Sequence, residues 1–173
     1  IYKKLPGCDP VYTVYDAADR PVFVQDGGQR AKGEWSFSIP NVFGRIVLTG
    51  TCKNTLDYTN DPLKNIVLKA TRLKGTSQTN DLKEYTLPSK VTLTTPVILS
   101  VNYYDWYGFI GSNGITSGAA TAYEKVARYD QLRTVGVKGL LTGTLTAKIS
   151  GNGTVSGYLY SVMYYDERGR MIQ

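Results

Sequence analysis

A chain of 173 residues with 18 Gly, 7 Pro and 14 Tyr is long enough for one domain with a real core, and with its many Thr and Val it favours strands and turns over helices. Histidine is absent, which removes the usual general base, the Ser-His and Cys-His nucleophile pairs and imidazole metal sites. The formal net charge of +6 is interspersed with acidic residues, and no basic run exceeds Lys3-Lys4, so it reads as a solvated surface and argues against nucleic acid as a partner.

The opening segment carries Cys8, whose one companion is Cys52; the pair lacks any CxxC spacing for zinc or redox work. The two can pair if the fold brings them together in an exported protein, or remain as buried thiols. "YDAADR" at 15–20 follows a Tyr/Val-rich strand and reads as a β-turn. Asp16 accepts backbone N–H groups, Asp19 enters the left-handed region, and Arg20 starts the returning strand. "EWSFSI" is a strand with Trp35 and Phe37 on one face, leading to a second turn, "PNVFGR", with Asn41, Gly44 and Arg45 in the same three roles. "LTGT" at 48–51 returns at 141–144, and the glycine inside each strand marks a bulge or close packing.

Segments 53–64 and 74–84 read as polar, solvent-facing loops around a strand at 66–73. "DYTND" at 57–61 lacks the glycine and distal glutamate of a calcium loop. "VILSVNYYD" is a strand, as is "YLYSVMYYD" at 158–166, and both carry apolar residues on each face, which predicts a sheet covered on both sides. "YDWYGF" at 104–109 is a third turn built on Asp105 and Gly108, but Phe109 stands where the other copies have Arg. A short helix is expected near 119–129, with Ser117 or Thr116 close to its start. "SGNG" at 150–153 predicts a hairpin between two long strands. "YDERGR" at 165–170 closes the series with Asp166, Gly169 and Arg170, one short stretch before the last residue, so the final strand is expected to lie at an open edge that invites self-association.

The anchors 16, 41, 105 and 166 share one internal spacing, so the predicted fold is all-β: a repeat-built antiparallel sheet of hairpins, sandwich-like where both faces are covered, over residues 1–173 as a single domain. "VYTVYDAADRPVF", "FGRIVLTGT" and "YLYSVMYYDERGRMI" resemble the YD repeat of bacterial RHS-repeat proteins. The resemblance implies a long sheet coiled into a shell-like wall, from a larger secreted or surface-exposed protein, with neighbouring repeats as partners, and the chain is expected to be an excised piece of such a parent. No self-cleaving core sequence of that family is present.

Two other function classes are open to the residues. Trp35, Tyr103, Tyr104, Asp105, Trp106 and Tyr107 cluster as sugar-stacking candidates, which makes a glycan-binding module the alternative to a non-catalytic structural or interaction module. Catalysis by a carboxylate pair would need Asp105 with Asp130 or Glu124, and no spacing brings them together. No catalytic residue, cofactor or metal is expected. No apolar run approaches the roughly 20 residues of a membrane helix.

Overall fold

The computed structural model describes residues 1–57, 59–60, 62–73, 80–113, 115, 118, 121–124 and 137–173. Among the described residues the fold is all-β, with antiparallel pairing between its strands and one short helix. The chain divides into two compact units, residues 1–72 with 85–99, and residues 73–84 with 100–173.

In the first unit, β1 (Tyr2–Lys3), β2 (Val11–Tyr15), β3 (Pro21–Gln25), β4 (Trp35–Pro40) and β5 (Ile46–Cys52) pair in chain order. Register places Val14 opposite Phe23, Phe23 opposite Phe37, and Phe37 opposite Gly50, and the three apolar members of that row are at most 3% exposed. Burying each such phenylalanine contributes roughly 1.5–3 kcal/mol. Ile39 and Leu48 extend the buried face, whereas Thr13, Val24, Ser36 and Thr51 form a half-buried row on the other. The strict alternation of the sequence thus becomes one apolar and one hydroxyl-bearing face.

Between β3 and β4 lies α1 (Gly27–Lys32), which the sequence reading missed because Gly27-Gly28 disfavours helix. Its Asp26 N-cap and Gln29 complete a capping box, and Gly33 ends it in the left-handed conformation. The helix expected near 119–129 falls largely outside the described residues, and Thr121–Glu124 are turn and irregular backbone. The strand expected over 66–73 is reduced to β6 (Thr71–Arg72), paired with β7 (Tyr85–Thr86).

β8 (Val97–Tyr104) begins in the first unit and continues in the second. There it pairs with β9 (Leu141–Ile149), and β9 with β10 (Val155–Val162) through the expected turn at 150–153. Val101, Leu145 and Tyr160 form one cross-strand row, and Tyr103, Gly143 and Val162 the next. The expected packing on both faces is incomplete: Val101 and Leu145 are buried on one face, while on the other Leu159 is 61% exposed although Ile98 is buried. Ser100 and Asn102 face the same side as Thr144 and Thr146 across the ladder, so polar residues dominate the open side. Among the described residues, no helix is long and apolar enough to cross a membrane.

Candidate functional site: the Asp and Asn turns

The repeated phrase is a closed turn at three of its four positions. At the first, Asp16 N–H donates to the Arg20 carbonyl at 3.0 Å and Asp19 N–H to the Asp16 carbonyl at 3.0 Å. Asn41 with Arg45 and Gly44, and Asp166 with Arg170 and Gly169, repeat both bonds at 2.8–3.0 Å. The fourth turn residue sits at positive φ each time: Asp19 at 55°, Gly44 at 79° and Gly169 at 77°. The strand register shifts by one residue beside the first two turns, as a type I turn followed by a left-handed bulge residue requires.

The anchoring side chain holds each turn from inside. Asp16 Oδ1 accepts Ala18 N–H and Arg20 N–H at 2.9 and 3.1 Å, Asn41 Oδ1 accepts Phe43 and Arg45 at 2.9 and 3.1 Å, and Asp166 Oδ1 accepts Arg168 and Arg170 at 2.9 and 2.8 Å. The two aspartates add an ion pair that Asn41 cannot make: Arg20 Nε and Nη2 donate to Asp16 Oδ2, and Arg170 Nε donates to Asp166 Oδ2 at 2.6 Å. Arg45 lies instead over the Phe43 ring, 5.1 Å from its centroid.

The first turn also grips a distant strap of chain. Leu68 N–H donates to Asp16 Oδ2 at 3.0 Å while Arg20 Nη2 donates to the Leu68 carbonyl at 2.7 Å. Ala17 N–H reaches the Ile66 carbonyl at 3.0 Å, and Ala70 N–H the Pro40 carbonyl at 2.8 Å. Alternate residues of 66–70 are thus bonded to the ends of the first two turns, with Leu68 fully buried. This segment was expected as a strand, but its backbone bonds run to Asp16, Ala17 and Arg20 of the first turn and to Pro40 at the end of β4, with no ladder along a neighbouring strand over the described residues.

These contacts set the charge state. Burial opposes ionisation of Asp16, yet the Arg20 side chain, the Arg20 and Ala18 N–H groups and the Arg20 charge outweigh it and hold the pKa below the ordinary 3.8. Asp166 is lowered too: burial opposes this, and the N–H, side chain and charge of Arg170 with the Arg168 N–H prevail. Both carboxylates are therefore ionised at neutral pH, with their acceptor positions turned to structure.

The third copy is different. Gly108 is not at positive φ; Asp105 itself adopts φ 69°, its N–H donates to the Leu140 carbonyl at 3.0 Å, and its Oδ1 accepts Gly139 N–H at 2.6 Å. Phe109, in place of Arg, is fully buried and stacks on Tyr103 with ring centroids 4.3 Å apart. A Cβ on Gly143 would lie 2.3 Å from this Phe109 ring, as one on Gly50 would lie 2.7 Å from the ring of Phe37. Each "LTGT" glycine is thus the seat of a phenylalanine ring.

This packing buries two of the sugar-stacking candidates. Trp35 is 3% and Tyr103 1% exposed, which leaves neither ring a face for a ligand. Tyr104 and Trp106 are half-buried, and Trp106 lies over Gly108 and edge-on to Phe109. Tyr107 stacks on Tyr164 and donates its hydroxyl to the Met163 carbonyl at 2.9 Å; burial, then the neighbouring Tyr165 and Tyr164, push its pKa up to about 12. Glu124 is exposed and Asp130 lies outside the described residues. Cys8 is exposed and Cys52 buried, and both are free thiols, so the disulfide alternative does not hold.

The sequence reading also missed Glu84, placed in a solvent-facing loop but 1% exposed. Its carboxylate accepts from the Ser112 hydroxyl, and Lys83 and Glu84 take φ of 53° and 75° to bring it inward. In the first unit a groove of about 340 Å³ is bordered by Arg20, Pro21, Val24, Ser36, Ser38 and Ile46; among its described lining residues Arg20 is the one ionisable group, so these residues supply no acid/base pair. Among the described residues no group of three or more His, Cys, Asp or Glu converges as metal ligands. No family model, no curated protein and no solved structure matches this chain.

Proposed function

We propose that this chain is a non-catalytic structural and interaction module of the RHS/YD-repeat kind, belonging to a secreted or cell-surface protein and working with neighbouring repeats. The observation that carries the reading is that the residues defining the repeated phrase are consumed by architecture: Asp16 receives five hydrogen bonds, from Ala18, Arg20 and Leu68, and Asp166 receives three. A carboxylate so occupied is a poor acid, base or ligand. The glycan-binding alternative rests on half-buried Tyr104, Trp106 and Tyr107.

Trp106→Ala separates the two readings. The scaffold reading expects a lower melting temperature and an unchanged glycan-array profile, since the ring packs on Phe109 and Gly108. Loss of a saturable glycan signal with unchanged melting would replace it with the binding module. For location, protease treatment of intact source cells, or assay of their medium, should find the chain outside; a chain protected until lysis would refute that part.

A further inference from the structure

Asn152-Gly153-Thr154 is the one Asn-X-Ser/Thr triplet among the eight asparagines of the chain. It lies at the tip of the β9–β10 hairpin, and all three residues are exposed. The hairpin repeats the backbone of the aspartate turns: Ser150 N–H donates to the Thr154 carbonyl and Gly153 N–H to the Ser150 carbonyl, each at 2.9 Å, with Gly153 at φ 81°. Within this frame Asn152 Oδ1 accepts Thr154 N–H at 3.1 Å, the Thr154 hydroxyl at 2.7 Å and the Ser150 hydroxyl. The carboxamide oxygen is saturated and held inward. Nδ2 makes no hydrogen bond to the described residues, and Asn152 is open to solvent. The donors on Oδ1 polarise the carboxamide and make its Nδ2 protons more acidic, and one of those protons is lost as the nitrogen forms its new bond.

We propose that Asn152 is an acceptor for an N-linked glycan, delivered from a sugar activated as a lipid-linked pyrophosphate. Nδ2 bonds to the anomeric carbon as the anomeric C–O bond breaks, the lipid pyrophosphate departs with that electron pair, and one Nδ2 proton passes to a base of the transferase. Thr154 acts through the acceptor amide as a positioning residue. In the native protein the modification rests on the secreted reading above, and the test keeps the two apart.

The chain is expressed behind a signal peptide in a eukaryotic cell line, and the secreted protein is analysed by intact mass and peptide mapping before and after peptide-N-glycanase. The expected result is a glycan on the peptide carrying residue 152, which the glycanase removes while converting that residue to aspartate. Occupancy should vanish in Asn152→Gln and Thr154→Val, persist in Thr154→Ser, and leave the circular dichroism of all three unchanged. Secreted, folded wild-type chain without glycan at 152, or full occupancy in Thr154→Val, overturns the proposal. Protein from its natural source that is extracellular but bare at 152 overturns it too and leaves the location standing. Intracellular natural protein with full occupancy in the secreted form removes the location reading and leaves the acceptor.

Discussion

The turns at Asp16 and Asp105 begin with the same Tyr-Asp pair and end differently. At Asp16 the fifth residue is Arg20, whose guanidinium bonds the carboxylate and closes the loop around it. At Asp105 the fifth residue is Phe109, which is drawn into the core against Tyr103, and the carboxylate turns outward to Gly139 N–H. Burying a phenylalanine gains roughly 1.5–3 kcal/mol, more than the roughly 1 kcal/mol of an ordinary side-chain hydrogen bond. The third copy thus places its fifth residue in the core, where the other copies keep an arginine beside the turn.

The largest effect expected from this contrast lies at the plug. Phe109→Ala should lower the stability of the chain by about 3–5 kcal/mol in urea unfolding, because the ring touches Tyr103, Trp106 and the seat at Gly143. Gly143→Ala probes the same seat from the other side and should cost about 1–3 kcal/mol through overpacking. A Gly143→Ala protein as stable as the wild type would mean that Phe109 does not occupy this position.

The turn comes next. Asp16→Ala should cost about 2–3 kcal/mol, since it strands the buried Leu68 N–H and removes the partner of Arg20. Asp166→Ala should lower the melting temperature less, because Arg170 is 60% exposed and its pair is screened by solvent. The pH dependence has a definite sign. A folded-state pKa below the unfolded 3.8 means that Asp16 contributes its full share above that value and loses it as the pH falls through the lower folded-state pKa. Acid titration should therefore show a loss of stability below about pH 4 that is smaller in Asp16→Ala, where the Asp166 share remains, and identical acid slopes for the two proteins would refute the assigned ionisation.

The smallest effect is expected at the open turn. Asp105→Ala removes the acceptor of Gly139 N–H at an exposed position and should change stability by less than about 1 kcal/mol. A loss matching that of Asp16→Ala would erase the distinction between the two turns.

Alternation and turn residues made the strands, the hairpin at 150–153 and three of the four phrase turns readable, because each depends on neighbours within about five residues. The strap at 66–70 was not readable as such, since its bonds run to Asp16, Ala17, Arg20 and Pro40, and an extended strap has the same local pattern as a strand. The interior position of Glu84 depends likewise on Ser112, 28 residues on. α1 did carry a signal, the Asp26…Gln29 capping box, which the adjoining glycines masked. Alternation assigns a face without saying which face is covered, so the burial of Trp35 and Tyr103 among the sugar-stacking candidates was not legible.

The most direct measurement is amide hydrogen exchange at Leu68, whose N–H is bonded to the Asp16 carboxylate 52 residues away in sequence. In Asp16→Ala the Leu68 amide should exchange far faster than in wild type, beyond what the global loss of stability imposes on β4, and in Asp105→Ala it should be unchanged. Equal Leu68 protection in Asp16→Ala and wild type, after correction for global stability, would contradict the assignment of the repeated aspartate as an architectural clasp.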